Sequence, residues 1–384
     1  MVERKRIGLI YSMDKDWIGG TYYILNLISA LNTLKDEQKP IIVVVCKLED
    51  DFLYVYQQTQ YPYLEKAICR LPHSKIIQKI NWLTSILFNK CWLRFPSLPI
   101  KVSILYPIRY AEMKSSMYQS ISWCADLQDK VLPQFFTKKE RWIRTQEFKK
   151  QINSNIPLVF SSENGRKDFQ KYYPKGKHCK TFVMRFAVSL PNRDISKDHE
   201  ILDKYKANSP YFFCANQFWA HKNHITLFRS IKLLKDKGIN ITVYFSGNTS
   251  DYRNPNFFLS LQKYIIENNL EQNIRILGFM DRHEQLCLMS HAEAIIQPSL
   301  FEGWSTVVED AKALHKYVIL SDIPLHREQL TQNVSFFNPL DSKDLANRIK
   351  QFINNKPKIE DYDYNDNIRT FGKCFYNIIG SLCE

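Results

Sequence analysis

Short apolar runs alternate with amphipathic segments in two long stretches of the chain. In the first stretch, predicted strands at residues 7–11 and 41–45 flank a glycine-bearing loop and a predicted helix at 21–34. In the second, the apolar sequences YFFCAN, ITVYFSG, IRILGF and AIIQ are separated by segments with helical spacing at 223–237, 256–269 and 282–290. Because parallel strands are joined by crossover helices, this alternation predicts two α/β domains with parallel sheets.

Between the two stretches, residues 185–209 are polar and irregular, which is typical of a linker. We therefore predict an N-terminal domain of residues 1–190 and a C-terminal domain of residues 191–365. The sequence contains no run near the roughly 18 apolar residues of a membrane-spanning helix. We expect no secretory signal either, because Asp14 and Lys15 interrupt the apolar residues near the N-terminus.

The sequence FEGWSTVVEDAKAL, which begins at Phe301, predicts a binding site. Glu302 follows the apolar run 291–300, whose AIIQ core is a predicted strand, and precedes helical spacing at 307–316. The free N–H groups and the dipole of a helix N-terminus favour a phosphate. A carboxylate beside them would repel that phosphate unless it bound another part of the same ligand, such as sugar hydroxyls. Phosphate and polyol together indicate a sugar nucleotide.

Two adjacent acids, Glu309 and Asp310, are candidates to accompany Glu302 in that site. With about 100° per helical residue, Asp310 lies roughly 90° from the centre of the apolar face, on its flank, and Glu309 about 170° away, towards solvent. Thr306 followed by Glu309 also fits a capping box, which would give Glu309 a structural role. Asp310 is therefore the predicted second acid. The alternative is that both acids belong to an ordinary helix surface.

The sequence EGWSTVVEDAKAL, followed by YVILSDIPLHRE, resembles the donor-site segment of glycosyltransferase family 4, whose members are retaining enzymes with the GT-B fold. That family has a Glu, seven intervening residues and a second Glu. Glu302 and Asp310 stand at these positions, and neighbouring Glu309 leaves a one-residue ambiguity. The resemblance implies that the first acid contacts the donor sugar and the second the ribose. It also implies donor contacts from the loop and helix start, at Gly303, Trp304, Ser305, Thr306 and Val307.

The fold class implied by the resemblance is α/β GT-B, with two Rossmann-like parallel-sheet domains facing a central cleft. The donor would bind the C-terminal domain and the acceptor the N-terminal domain. Residues 366–384 would form a helix that crosses back to the N-terminal domain. Gly19 and Gly20 follow the first predicted strand, where the family places a glycine-rich loop against the cleft; a simple turn is the alternative.

The segment 122–136 resembles a family loop that lines the acceptor side, and its candidate residues are Asp126 and Gln128. Ala125 and Asp129 occupy the places where the family commonly has a His. A catalytic or sugar-positioning role for that His is therefore not expected in this chain.

Breaking a sugar–phosphate bond puts negative charge on the departing nucleotide, so a cation must lie at the diphosphate. Lys222 is the candidate because it follows a predicted strand and stands at the start of a predicted helix. The family has an Arg, five residues and then a Lys in this place, and Asn216 stands where the Arg would be. Asn216, His221 and His224 are the candidates to share the anion with Lys222.

Gly278 and Phe279 close the predicted strand IRILGF and resemble the base-contacting turn of the family; a plain strand-to-helix turn is the alternative. No Asp-x-Asp pair stands where it would resemble a nucleotide–metal site, because Asp361 and Asp363 lie in the polar C-terminal segment. We therefore expect no metal and no cofactor, with the nucleotide sugar as a substrate.

The chain has 53 Lys and Arg against 39 Asp and Glu, a net charge of +14. Nucleic acid is the weakest explanation, because the basic residues form no long run and match no nucleic-acid-binding module. Phosphate-bearing substrates and an anionic membrane are the other candidates. Residues 74–109 combine aromatic and basic side chains, which predicts either a helix on a membrane surface or a core helix with a basic edge. Nine scattered cysteines without a Cys-x-x-Cys pair favour a reducing compartment.

We therefore expect a retaining hexosyltransferase that moves a sugar from a nucleotide sugar to a saccharide acceptor, carried on a lipid, in bacterial cell-surface polysaccharide assembly such as lipopolysaccharide. The expected location is the cytoplasm, with peripheral contact at the inner face of the cytoplasmic membrane. Two alternatives remain open. One is a sugar-nucleotide epimerase or phosphorylase of the same fold, and the other is a nucleotide-sugar-binding protein without catalysis.

Overall fold

The computed structural model describes residues 4–13, 18–69, 76, 79–81, 83–84, 98–108, 115–207, 210–251 and 253–383. They form two compact units. The first comprises Met1–Leu127, Lys138–Ser189 and Asn365–Glu384, and the second comprises Gln128–Thr137 and Leu190–Tyr364. The segment Gln128–Thr137 therefore groups with the second unit although both of its neighbours in the chain belong to the first.

Each unit is built on a parallel β-sheet. The first sheet contains β1 (Arg6–Ile10), β2 (Ile41–Cys46), β3 (Leu64–Ile68), β4 (Ile104–Ile108), β5 (Gln119–Cys124), β6 (Leu158–Phe160) and β7 (Thr181–Val183). The second contains β8 (Phe212–Ala215), β9 (Val243–Ser246), β10 (Ile274–Gly278), β11 (Ile295–Gln297), β12 (Val318–Ser321) and β13 (Val334–Phe337). Their strand orders are β3-β2-β1-β4-β5-β6-β7 and β10-β9-β8-β11-β12-β13.

The α-helices of the described residues include α1 (Ile18–Leu31), α2 (Glu49–Thr59), α3 (Gln128–Val131), α4 (Lys138–Asn153), α5 (Glu163–Tyr172), α6 (Asp198–Tyr205) and α7 (His224–Asp236). They continue with α8 (Phe257–Glu267), α9 (Arg282–His291), α10 (Thr306–Ala313), α11 (Pro324–Gln329), α12 (Ser342–Asn354) and α13 (Asn365–Cys383). Within this part of the chain, none combines the length and apolar content that a bilayer span requires.

The central strands of the second sheet are buried on both faces, which explains why β8 is apolar throughout rather than alternating. In β8, Phe212 and Cys214 join one hydrophobic cluster, while Phe213 and Ala215 join the cluster on the opposite face. All four residues are buried. The predicted arrangement of two parallel-sheet α/β domains is thus confirmed.

Gly19 and Gly20, which were expected in a loop after β1, are helical. Helix α1 begins at Ile18, earlier than predicted, so Gly19 and Gly20 lie in its first turn and not in a loop after β1. A Cβ added at Gly19 would meet no atom within 4 Å, so the backbone there does not require glycine for space. Most of the aromatic and basic stretch at 74–109 lies outside the described residues.

Candidate functional site

The order of strands in the second sheet reverses direction between β8 and β11, which are hydrogen-bonded neighbours. In open α/β sheets, ligands bind beyond the carboxyl ends of the strands at such a switch point. The loop after β8 carries Asn216 and Lys222, and the loop after β11 carries Glu302. The topology therefore brings together predicted residues that are about 80 positions apart in the sequence.

Lys222 and Glu302 form an ion pair at this edge of the sheet. The Lys222 Nζ lies 2.7 Å from the Glu302 Oε1, and the two side chains are 15% and 9% exposed. Lys222 ends a single turn, Ala220–Lys222, just before α7, while Glu302 lies in the loop before α10. The two residues predicted to be catalytic thus face each other directly.

The carboxyl group of Glu302 is held in its ionised form. Burial raises its pKa. The charge and hydrogen bond of Lys222, together with a hydrogen bond from Ser299, lower the pKa by more than burial raises it, so the pKa lies below its ordinary value. Because the pKa of this carboxyl is lowered, Glu302 is negatively charged at neutral pH and faces the ammonium of Lys222.

Asn216 is linked to Glu302 by hydrogen bonds through Gln297. Its side-chain amide donates to the Gln297 Oε1 at 2.7 Å, and the Gln297 Nε2 donates back to Asn216 at 3.1 Å and to the Glu302 Oε1 at 3.0 Å. A Cβ at Gly247 would lie 2.1 Å from the Asn216 carbonyl oxygen, so only glycine allows the strands to approach this closely here. Asn216 therefore orients Glu302 through Gln297. Its sharing of an anion with Lys222 stays a prediction.

His221 and His224, the other candidates to share the anion, are both buried. Burial, with the nearby charge of Lys222, lowers the pKa of His224 to about 3, and its ring stacks on Phe218 at 4.3 Å. Burial and the charges of Lys222 and Arg253 hold the pKa of His221 well below its usual range. Neither imidazole is a cation at neutral pH, so Lys222 alone supplies positive charge among these residues.

The start of α10 differs from the predicted capping box. Ser305 is the N-cap residue, and its hydroxyl accepts a hydrogen bond from the Val308 N–H at 3.4 Å; Thr306 is the first helical residue. The Ser305 N–H donates to the Gln329 Oε1 at 3.1 Å, and the Gln329 Nε2 donates to the Ser305 carbonyl at 2.8 Å. Gln329 therefore fixes the loop that presents the helix N-terminus, a role that sequence reasoning missed.

Glu309 is fully buried, so the expectation that it faces solvent is wrong. Its Oε1 accepts hydrogen bonds from Gln329 and Lys312, each at 3.0 Å, and its Oε2 accepts from the Tyr364 hydroxyl at 2.6 Å. The helical angles located the apolar face correctly, but polar residues from α11 and from the chain before α13 cover the opposite face.

Asp310 is also fully buried, and its two carboxylate oxygens pair with the guanidinium of Arg282. The Arg282 Nη1 lies 2.5 Å from the Asp310 Oδ2. Arg282 is the first residue of α9, and nothing in the sequence around Asp310 pointed to it. Contact between Asp310 and a nucleotide ribose stays a prediction.

The other predicted donor residues line the same edge of the sheet. Gly278 ends β10 with a φ of 73°, which glycine adopts readily, and its carbonyl accepts a hydrogen bond from the Gly247 N–H at 2.8 Å. Phe279 is 60% exposed. In the loop after β11, Trp304 is buried, whereas Gly303, Thr306 and Val307 are partly buried.

The predicted acceptor residues Asp126 and Gln128 fall in different units. Asp126 follows β5 in the first unit and pairs with Arg144 of α4 at 2.6 Å, both side chains being about one-third exposed (33% and 35%). Gln128 begins α3 in the second unit and is buried. Their role towards an acceptor stays a prediction.

His326 is a further buried residue near the site that the sequence did not reveal. Its Nδ1 lies 2.9 Å from the Ser321 carbonyl oxygen, an acceptor, so the Nδ1 carries the proton and donates it. Burial lowers the pKa of His326 to about 4, although the negative charge of Glu302 partly opposes this shift. The imidazole is therefore neutral at neutral pH.

Among the described residues, Asp198, Cys287 and His291 bring potential metal ligands within 4.8 Å of one another. The Arg193 Nη2, however, lies 3.2 Å from the Asp198 Oδ2. This ion pair balances the charge of the buried carboxylate. The guanidinium would also repel a metal cation placed beside it. We assign no metal to the cluster.

Comparison with known proteins finds matches to the C-terminal half of the chain. Residues 195–369 match the family described as Glycosyl transferases group 1. A stretch of 180 residues is 31% identical to the O-antigen chain mannosyltransferase RfbU of Salmonella typhimurium, which covers 47% of this chain and 48% of that protein. The chain thus spans about half the length of this curated relative.

Solved structures share the fold. A glycosyltransferase from Rickettsia africae matches with a TM-score of 0.62 and 14% identity, over 98% of this chain and 94% of that one. Anabaena Alr3699/HepE in complex with UDP and glucose matches with a TM-score of 0.63 and 13% identity, over 98% and 95%. Identities this low show the fold alone. The fold is GT-B, as predicted.

Proposed function

We propose that this protein is a hexosyltransferase that transfers a sugar from a nucleotide sugar to a saccharide acceptor during the assembly of cell-surface polysaccharide. The family match and the mannosyltransferase relative support this class of reaction. The relative's name makes a mannosyl donor the first to test. The proposed acceptor is a saccharide carried on a lipid at the cytoplasmic face of the membrane.

The observation that carries the proposal is the Lys222–Glu302 ion pair at the switch point of the second sheet. An ammonium there can stabilise the negative charge on a departing nucleoside diphosphate. The N-terminus of α10 adds the partial positive charge of free backbone N–H groups. Glu302, held ionised, accepts hydrogen bonds and so suits the hydroxyl groups of the donor sugar.

The proposed reaction retains the configuration at the anomeric carbon. The acceptor hydroxyl attacks from the face that the diphosphate leaves, and the departing phosphate oxygen takes the proton of that hydroxyl. The C–O bond to the phosphate breaks as the new glycosidic bond forms. In this scheme Lys222 stabilises the leaving group and Glu302 orients the sugar, so neither residue forms a covalent bond with it.

The nucleotide base is proposed to lie at the turn after β10. Gly278 leaves room beside the backbone, and the exposed ring of Phe279 offers a surface on which a base can stack. Asp310 is the proposed ribose ligand, at the position implied by the resemblance to glycosyltransferase family 4.

A thermal-shift screen with UDP-, GDP-, ADP- and dTDP-sugars, including GDP-mannose, identifies the donor. Transfer to a saccharide acceptor is then measured for Lys222→Met and Glu302→Gln. Each is expected to lose more than tenfold in rate, which corresponds to ~1.4 kcal/mol in the barrier. The matched control is Lys232→Met, which removes a lysine that pairs with Asp236 on the exposed side of α7.

Because each single variant leaves one buried charge without its partner, unfolding must be measured for both, and for the double variant that restores charge balance. If a folded Lys222→Met or Glu302→Gln variant keeps more than about a tenth of wild-type activity, its assigned role is wrong. Donor binding without transfer to any acceptor would favour a nucleotide-sugar-binding protein, and conversion of the donor alone would favour an epimerase.

A further inference from the structure

The second unit contains a short segment, Gln128–Thr137, that the chain contributes between two portions of the first unit. It consists of α3 and a single turn, Pro133–Phe135, followed by Phe136. This segment includes Gln128, a predicted acceptor-side residue. Whatever holds it against the second unit therefore controls where that residue lies relative to Lys222.

Arg253 contacts an aromatic ring on this segment and another near Lys222. Its guanidinium carbon lies 5.4 Å from the centre of the Phe136 ring and 4.9 Å from the centre of the Trp219 ring. Cations within about 6 Å of an aromatic ring centre are attracted to its face. Arg253 thus joins the segment to the loop that follows β8.

The guanidinium is fixed in place by its own loop. The Asp251 Oδ1 accepts hydrogen bonds from the Arg253 Nε and from the Arg253 backbone N–H, each at 3.0 Å. The Asp251 side chain is buried, so this contact is shielded from water. A guanidinium held in this way presents its flat faces in a defined direction, which a flexible lysine would not do.

Trp219 belongs to the turn that carries Lys222. The Lys222 N–H donates to the Trp219 carbonyl at 2.9 Å, so a shift of Trp219 is transmitted to the backbone of Lys222. His221 lies between Trp219 and Lys222 in the sequence. Burial lowers the pKa of His221, and the charges of Lys222 and Arg253 lower it further. Arg253 therefore acts on the turn Trp219–Lys222 both through its contact with Trp219 and through its charge.

We propose that Arg253 is a positioning residue that holds the segment Gln128–Thr137 against the turn Trp219–Lys222 by contacting Phe136 and Trp219. This inference rests on the proposed function, because it assigns the segment to the acceptor side of the same reaction. Arg253 keeps the acceptor-side segment and the leaving-group lysine in one geometry. It acts through its neighbours and does not contact the reacting atoms.

The first test requires no activity. Hydrogen exchange is measured by mass spectrometry on the full-length protein for Arg253→Met, Arg253→Lys and Phe136→Leu. Amides of residues 128–137 are expected to exchange at least tenfold faster in all three variants, while those of β8 stay as in the wild type. Arg275→Met, which removes an exposed arginine of β10, is the matched control and should change neither region.

The second test uses GDP-mannose and octyl α-mannoside as probes of transfer. Arg253→Met and Phe136→Leu are each expected to raise the KM for the acceptor at least fivefold and to lower kcat. The KM for the donor should stay within threefold of the wild type. The double variant should be little worse than either single one, because both remove the same contact.

Unchanged exchange of residues 128–137 in Arg253→Met would overturn the proposal, even if the protein transfers no sugar. Full recovery by Arg253→Lys would also overturn it, because a positive charge would then suffice without the flat guanidinium. A donor KM raised more than tenfold, with the acceptor KM unchanged, would make Arg253 a donor-binding residue instead. Absence of transfer in the wild type, with exchange as expected, would count against the proposed function and leave the contact itself supported.

Discussion

Replacing Glu309 by alanine is expected to destabilise the second unit by about 3–5 kcal/mol, the range for removing one partner of a buried ion pair. Glu309 is fully buried, and Lys312, whose side chain is 11% exposed, pairs with it at 3.0 Å. The same carboxylate accepts hydrogen bonds from Gln329 and Tyr364. Its loss leaves the shielded ammonium of Lys312 without its carboxylate and removes the hydrogen bonds that Gln329 and Tyr364 donate to Glu309. A helix cap of the kind inferred from the sequence would contribute only ~1 kcal/mol.

Urea unfolding followed by circular dichroism measures this difference, and hydrogen exchange of the α10 amides assigns it to the second unit. Glu309→Gln keeps the volume and one acceptor oxygen but removes the charge, so its cost should lie between those of the wild type and Glu309→Ala. Glu271→Ala removes an exposed acid before β10 and should stay within about 0.5 kcal/mol of the wild type. A cost below ~1 kcal/mol for a folded Glu309→Ala would refute the buried-pair interpretation.

Three further outcomes are expected. The pKa values of His224 and His326 are lowered to about 3 and about 4, so between pH 6.5 and 4 the unfolded chain binds more protons than the folded one. Stability should therefore fall as pH falls through this window, by up to ~1.4 kcal/mol per pH unit for each histidine, and urea midpoints that do not change between pH 7.5 and 5 would contradict this. Transfer should survive excess EDTA and respond little to Mg²⁺ or Mn²⁺; complete loss on chelation, restored by metal, would require a different account of the leaving group. The net charge of +14 predicts binding to anionic vesicles that weakens with salt, and equal flotation with neutral vesicles would exclude it.

The sheet of the second unit was predictable because its central strands are buried on both faces and are therefore largely continuous apolar runs. The same regularity made Lys222 and Glu302 predictable as neighbours. Each follows the carboxyl end of a strand, and the carboxyl ends of adjacent parallel strands meet at one edge of the sheet. The prediction needed only local patterns and the rule that ligands bind at that edge.

The partners of the buried acids were not predictable in this way. Arg282 lies 28 residues from Asp310, and Tyr364 lies 55 residues from Glu309. A helical projection shows which side of a helix is apolar but not whether other elements cover its polar side. Helix α1 shows a related difficulty, because the pattern of apolar residues did not reveal that Gly19 and Gly20 continue the helix towards its N-terminus.

Asn216 stands where glycosyltransferase family 4 has an arginine, and its side-chain amide pairs with that of Gln297. An arginine at residue 216 would add a charge beside the proposed donor site, but here two neutral amides, Asn216 and Gln297, are hydrogen-bonded to each other, and Gln297 also donates to Glu302. Lys222 has three N–H donors and uses one on Glu302, so the same ammonium is able to contact a diphosphate while it remains paired. In the proposed function, binding of the diphosphate and orientation of the sugar would be coupled through this one lysine. The proposed site would therefore depend on the position of Lys222 more than a site with two cations would. This dependence is a physical reason for the contacts that fix the turn carrying Lys222.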